Sequence, residues 1–294
     1  MKIGYFADGP WAHQAIAKIL SRKDVQILFI CLRYDNPDLI LKKIAGDYAI
    51  PCFSVSNINS VQFVDEISKY NCDLFISMSF NQIFRSSIRN TPPLGIINCH
   101  AGLLPFYRGR NVLNWALIND EKKFGVSVHY VDEGVDTGDI ILQHSYPITD
   151  EDDYSTLLLR SYKSCSEILI EAIEKILQNN VTRQKQDNIH KHGTYCSVRK
   201  LGDEILNWNN TSRDIFNFVR AITTPGPCAR TYIDNSEIKL LSMLYIPEAP
   251  IYLGIPGAIL AKKDGLFLVK TLDSYIAIKS YVASIKLKVG DRFQ

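Results

Sequence analysis

The sequence has no C-x-x-C pair, and its seven cysteines (Cys31, Cys52, Cys72, Cys99, Cys165, Cys196 and Cys228) are an odd number. That set indicates neither a disulfide framework nor a zinc ribbon, and it reads as buried thiols in a reducing compartment. An excess of one charge sign is also missing. The 33 Lys plus Arg stand against 31 Asp plus Glu, a net charge of +2, which excludes the strongly basic surface of a protein that coats nucleic acid. No apolar run approaches membrane-spanning length, and the opening MKIGYFADGPW turns polar after six residues; a cytoplasmic protein with no membrane segment is expected. What the 294 residues do contain is 46% apolar side chains, enough for one large core or two smaller ones, with the length favouring two domains.

Short β-rich runs at 2–6 and 25–32 flank a segment, 10–22, whose apolar residues recur at helical spacing; this is a β-α-β start. The alternation continues with a helix over 37–48, a strand at 52–55, a helix over 61–70, and strands at 74–78 and 95–100. It predicts an α/β fold, a Rossmann-like and mostly parallel sheet covered on both faces. Ligands of such sheets bind outside the carboxyl ends of the strands. Two more strands, 125–131 and 140–146, are joined by the acidic, Gly-rich turn DEGVDTGD, and 153–179 reads as a long core-facing helix. The polar stretch NNVTRQKQDNIHKHG, 179–193, has no periodicity and reads as a linker, so a first domain over 1–190 and a second over 191–294 are expected. In the second, a helix at 212–222 precedes short strands at 229–233, 238–245, 257–260, 266–271 and 275–279, the pattern of a small, OB-like β-barrel.

Residues able to do chemistry concentrate in two places. In Ile96-Ile97-Asn98-Cys99-His100 the period of two puts Asn98 and His100 on one face of a strand, near its C-terminal end. The loop that follows, AGLLPFYRGRNVLNW, carries Arg108 and Arg110, a plausible pair of anion contacts. Farther on, Asp136-Thr137-Gly138 closes the turn between two strands. Alone, an Asp there is ordinary turn chemistry. His13, His144, His190 and His192 show no spacing that suggests a metal.

Taken together, INCHAGLLPFYRGRNVLNWALIND and GVSVHYVDEGVDTGDIIL resemble the catalytic signature of the formyltransferases that use 10-formyltetrahydrofolate. That family carries N-x-H on a strand, then LLP-x-x-x-G, then H-x-V-x-x-x-x-D-x-G, matched here by Asn98 and His100, by Leu103 to Gly109, and by His129 through Asp136 to Gly138. DEILNWNNTSRDIFNFVRAI, PGPCARTYIDNSEIKLL, PGAIL and LKVGDRF are similar to the accessory β-barrel domain of the tRNA and sugar enzymes, a domain that the purine-pathway members lack.

The resemblance implies that Asn98 and His100 stabilise the oxygen that gains charge when an amine attacks the formyl carbon. Asp136 would orient His100 and assist proton removal. No metal is implied, and His129 reads as a structural histidine. The pterin of the folate co-substrate would bind largely through backbone groups, at positions matching Met78, Gln82 and Phe84 and the turn residues Asp132 and Glu133. At the acceptor end, Gly9 would allow close approach, Trp11 would stack on a sugar or base, and Arg108 and Arg110 would lie near a pyrophosphate or sugar. The tRNA enzymes carry a basic, Gly-rich insertion after the second strand. Here LRYDNPDLILKKIAGDYAIP stands in that place, with Asp35 and Asp38. The expected acceptor is therefore a nucleotide-linked amino sugar, foremost dTDP-4-amino-4,6-dideoxyglucose for surface polysaccharide synthesis, in a homodimeric enzyme that binds no nucleic acid. A methionyl-tRNA formyltransferase, a hydrolase of 10-formyltetrahydrofolate and a non-catalytic folate- or nucleotide-binding module are the alternatives.

Overall fold

A computed structural model describes residues 1–294. The chain runs β1 (Lys2–Ala7), α1 (Gly9–Leu20), β2 (Gln26–Leu32), α2 (Leu39–Asp47), β3 (Cys52–Ser54), α3 (Val61–Ser68), β4 (Leu74–Met78), α4 (Ser86–Arg89) and β5 (Ile96–His100). It continues with β6 (Arg108–Gly109), α5 (Val112–Ile118), β7 (Lys123–Tyr130), β8 (Ile140–Pro147), α6 (Tyr154–Leu177) and β9 (Tyr195–Cys196). Last come α7 (Ser212–Ile222), β10 (Ala229–Ile233), β11 (Ser236–Leu244), β12 (Ile259–Lys263), β13 (Leu266–Lys270) and β14 (Tyr275–Ala283). By contacts they form two compact units, one of Met1–Arg110, Phe124–Tyr146 and Leu159–Cys196, the other of Asn111–Lys123, Pro147–Leu158 and Ser197–Gln294.

The first unit is built on a seven-stranded sheet in the order β3-β2-β1-β4-β5-β7-β8. Strands β1 to β5 are parallel, and β7 runs antiparallel to β5. Because successive side chains of β1 point to opposite faces, Tyr5 joins a core with Ala15, Ile16 and Ile19 of α1 and with Cys165, Leu169 and Ile173 of α6. Phe6 joins the opposite core with Phe29, Phe75 and Phe84, its ring 5.0–5.6 Å from each of theirs. The order reverses between β1 and β4, the kind of switch point at which ligands of open α/β sheets bind. One strand over, β5 delivers Asn98 and His100 to the same end.

The stretch that reads as a linker is anchored in this unit. Gln184 pairs with Ile140, Gln186 is buried in a 3-10 turn (Gln186–Asn188), and β9 pairs with β6. It lacks periodicity because its polar side chains are spent on loops of the unit rather than on one apolar face.

The second unit holds a five-stranded antiparallel sheet, β10-β11-β14-β13-β12. The last residues tie its edges together: Arg292 bridges Ala258 ahead of β12, while Gln294 donates its N–H to the Tyr232 carbonyl of β10 at 2.8 Å. Phe293 between them is buried and stacks on Trp208, centroids 5.0 Å apart. Phe293→Ala is expected to cost about 3–5 kcal/mol in the unfolding transition of this unit, read by chemical denaturation.

Helix α5, absent from the sequence reading, packs on α7 in this unit. Arg213 of α7 pairs with Asp120 and with Asp150, its Nη1 2.7 Å from Asp150, and Arg220 donates to the carbonyls of Thr149 and Asp152. Those two arginines explain why two acidic segments distant in sequence belong to the second unit.

Candidate active site

Asn98 and His100 emerge on the same face of β5, as period-two geometry requires, and Asp136 reaches them from the turn after β7. The Asn98 amide nitrogen lies 3.5 Å from Asp136 Oδ1, and His100 Nδ1 lies 3.6 Å from Asp136 Oδ2. The three residues are thus brought together across 38 positions of sequence. His129, which reads as structural, stands in the same cluster. Its Nδ1 is 2.8 Å from the Tyr130 carbonyl and so carries a proton; its Nε2 is 3.2 Å from the Asn98 amide nitrogen and 3.4 Å from Asp136 Oδ1. The pairing of Asn98 with His129 across β5 and β7 places the two side chains side by side, a relation that becomes readable only once the strands are known to be neighbours.

His100 is nearly buried, and its Nε2–H donates to the Tyr107 carbonyl at 2.7 Å. This bond passes over Gly102, where a Cβ would stand 2.4 Å from both partners. Ser127 Oγ donates to the Gly102 carbonyl at 2.7 Å, and Gln143 Nε2 donates to Ser127 Oγ and to the Leu104 carbonyl. The loop after β5 therefore has little room to retreat.

Asp136 adopts a left-handed backbone, φ +54°, uncommon for a residue with a Cβ. Gly109 N–H donates to its Oδ2 at 2.9 Å. Burial pushes this carboxyl upward, but the charge on His100, the hydrogen bond and charge of His129 and the Gly109 N–H outweigh it and hold the group well below the usual carboxylate range. A carboxyl depressed in the folded state stabilises the fold above the ordinary aspartate value of about 3.9 and loses that contribution as pH falls through the lower, folded value. Wild type should therefore melt higher than Asp136→Asn near neutrality, with the gap narrowing as scans move below about pH 4.

The side chains expected to bind ligands fall into distinct places. Arg108 is a correction: it is buried, its Nε and Nη2 both donate to Gln186 Oε1 (3.0 and 2.6 Å), and Gly193 packs against its guanidinium. It braces the loop instead of offering a free cation to an anion. Arg110, two residues on, is exposed. Trp11 is partly buried: its indole meets Tyr162 edge to face at 4.6 Å and packs on the core. Gly9, φ +65°, leaves open space where a Cβ would be. The anion position at the start of α1 is filled from within, because Asp38 accepts from Gly9 N at 3.1 Å and from Leu41 N, and its carboxylate holds His13 Nε2 at 2.8 Å. With Asp8 and Asp35 both paired to Arg33, this rim is acidic.

Met78 and Phe84 are buried in the two cores, and Gln82 bonds the Ile58 N–H and the Val55 carbonyl. Asp132 clasps its own turn through Gly134 N–H and the Thr137 hydroxyl, while Glu133 projects outward, 3.4 Å from Arg89. Their side chains are committed or remote, so any ligand contact there falls to the backbone. A concavity of about 650 Å³ opens on the outer side of the turn, between Arg89, Leu94, Tyr130, Asp139 and Arg183; it touches none of Asn98, His100 and Asp136.

Residues 2–173 match the formyl transferase model and residues 200–287 the model of the formyl transferase C-terminal domain. Among curated proteins, methionyl-tRNA formyltransferase of Thermodesulfovibrio yellowstonii is 31% identical over 272 residues, spanning 90% of this chain and 85% of that one. Among solved structures, the sugar 3-N-formyltransferase WlaRD, crystallised with dTDP and 5-N-formyl-THF, superposes with a TM-score of 0.71 at 26% identity, over 98% of this chain and 99% of that one. The N-formyltransferase of Helicobacter canadensis, in complex with folinic acid and dTDP-3-aminofucose, shares the fold at 20% identity and a TM-score of 0.67, over 96% and 99% of the two chains. The chain belongs to the formyl transferase family and is a formyltransferase.

Proposed function

We propose that this protein transfers the formyl group of 10-formyltetrahydrofolate to the amino group of a nucleotide-linked amino sugar, with Asn98, His100 and Asp136 as the catalytic set. The observation that carries the reaction is their convergence at the C-terminal end of β5 around an ionised, largely buried carboxylate. The amine lone pair attacks the formyl carbon, and the carbonyl electron pair moves onto oxygen, where His100 and Asn98 offer N–H donors. Asp136 takes the proton that the nitrogen sheds. Collapse of the tetrahedral centre breaks the bond to folate N10, which leaves with that proton, so product amide and tetrahydrofolate balance. Backbone groups at Met78, Gln82 and Phe84 and at Asp132 and Glu133 hold the pterin, and Gly9 and Arg110 lie toward the acceptor.

For the acceptor, likeness to a sugar enzyme along nearly the whole of both chains supports a nucleotide sugar. The acidic rim of Asp8, Asp35 and Asp38 supports it as well, since gripping a nucleic-acid backbone calls for a concentrated positive face. The 4-amino-4,6-dideoxy sugar is the first acceptor to test, although nothing in the sequence fixes the 3- or 4-amino position and the solved relative is a 3-N-formyltransferase. Within this reading 1–190, apart from the segments 111–123 and 147–158 that pack in the second unit, is the catalytic domain, the rest beyond Cys196 is accessory, and the working form is a homodimer. Methionyl-tRNA is the second acceptor, favoured by the 31% identity to the tRNA enzyme.

The test is incubation of purified protein with 10-formyltetrahydrofolate and, in separate reactions, dTDP-linked 4-amino and 3-amino dideoxyhexoses, a UDP-linked amino sugar and charged initiator tRNA. Product mass is followed. A formyl-sized gain on a nucleotide sugar is expected. A gain on tRNA alone would replace the acceptor, free formate alone would mean hydrolysis, and no turnover would overturn the reading.

A further inference from the structure

Gln186 lies 50 residues beyond Asp136, is buried, and belongs to none of the matched motifs. Its Nε2 donates to two main-chain carbonyls of the turn, Asp136 at 2.8 Å and Gly138 at 2.9 Å. Its Oε1 accepts from Arg108 Nε and Nη2, which fixes the amide so that nitrogen and oxygen cannot exchange places. Arg108 is held in turn by β6–β9 pairing, with its own N–H on the Thr194 carbonyl at 3.0 Å, and its neighbour Gly109 donates to Asp136 Oδ2. The contacts close a ring that runs from the Asp136 carboxylate through Gly109 and Arg108 to Gln186 and back to the Asp136 carbonyl. Of the side chains, only a primary amide offers two N–H donors, one for each carbonyl, together with an acceptor for a guanidinium.

We propose that Gln186 is a positioning residue for formyl transfer: it sets the backbone of Asp136 and, through Arg108 and Gly109, the direction in which the carboxylate faces His100. Glutamate would keep the arginine contact but turn an oxygen on the two carbonyls; alanine would remove both.

The kinetic arm rests on the proposed reaction, so a second arm needs no substrate. In the free protein, the His100 ring resonances are recorded by NMR at one fixed pH in wild type, Gln186→Ala and Asp136→Ala. The Gln186→Ala resonances are expected to move in the same direction as those of Asp136→Ala, and by at least half as much. With the acceptor that wild type formylates, kcat of Gln186→Ala and Gln186→Glu should fall by about 10- to 100-fold, the scale of a small misplacement, with KM values within about twofold. In an Asp136→Ala background, Gln186→Ala should change kcat no further. Unmoved His100 resonances in a protein with wild-type melting, or an equal loss of kcat in both backgrounds, would overturn the proposal. Inactive wild type alongside shifted His100 resonances would instead remove the reaction and leave the positioning role standing.

Discussion

Asn98→Ala and His100→Ala are each expected to lower kcat by about 100- to 1000-fold, the usual loss when one donor to a developing oxyanion is removed. KM for folate and acceptor should stay within a few-fold, because a donor that acts on charge appearing only in the transition state contributes little to ground-state binding. The two losses should not add. Asn98 Nδ2 sits between His129 and Asp136, and His100 faces the same carboxylate, so the residues act as a unit and the double variant should fall little below the weaker single one. Steady-state kinetics of the three variants decides it. Full additivity would mean that Asn98 and His100 serve separate steps, and unchanged kcat in either single variant would remove that residue from the chemistry.

Gly102→Ala should cost about 100-fold in kcat for a steric reason. A Cβ at this position would lie 2.4 Å from His100 Nε2 and 2.4 Å from the Tyr107 carbonyl, closer than any real Cβ contact. Neither neighbour is the free end of a flexible chain. The imidazole is buried between Asp136 and Tyr107, and the carbonyl belongs to a residue with φ +56°. The loop cannot back away without breaking the Ser127 and Gln143 bonds beneath it. Relief therefore comes by tilting His100. The stability cost should be about 1–3 kcal/mol, as for other forced insertions, small beside the kinetic one. Calorimetry together with kcat separates the two: a large drop in melting temperature with normal kcat in the surviving fraction would show that the loop, and not the imidazole, had yielded.

Much of the architecture is legible in the sequence because it depends on local periodicity. Strand β4, helix α7 and strand β10 begin and end where alternation and helical spacing place them. The face shared by Asn98 and His100 follows from the period of two alone, and Asp136 is recoverable because the family motif keeps its distance from them. Helix α5 escapes notice: it is only seven residues long, and its N-cap Asn111 is left-handed with no side-chain cap, so neither a long stripe nor a capping signal announces it.

By itself, then, the sequence determined the order of the longer elements, the doubly covered sheet, the second β domain and the identity of the three converging side chains, since each is written in spacing or in a contiguous motif. Tertiary structure alone decided what those side chains touch. It made His129 a neighbour of Asn98 through the pairing of β5 with β7, turned Arg108 inward onto Gln186, filled the α1 anion position with Asp38, and spent a stretch that looked like a linker on holding the Asp136 turn. Hydrogen bonds between residues tens of positions apart leave no periodic trace. Their directions are set by which loops the folded sheet brings together.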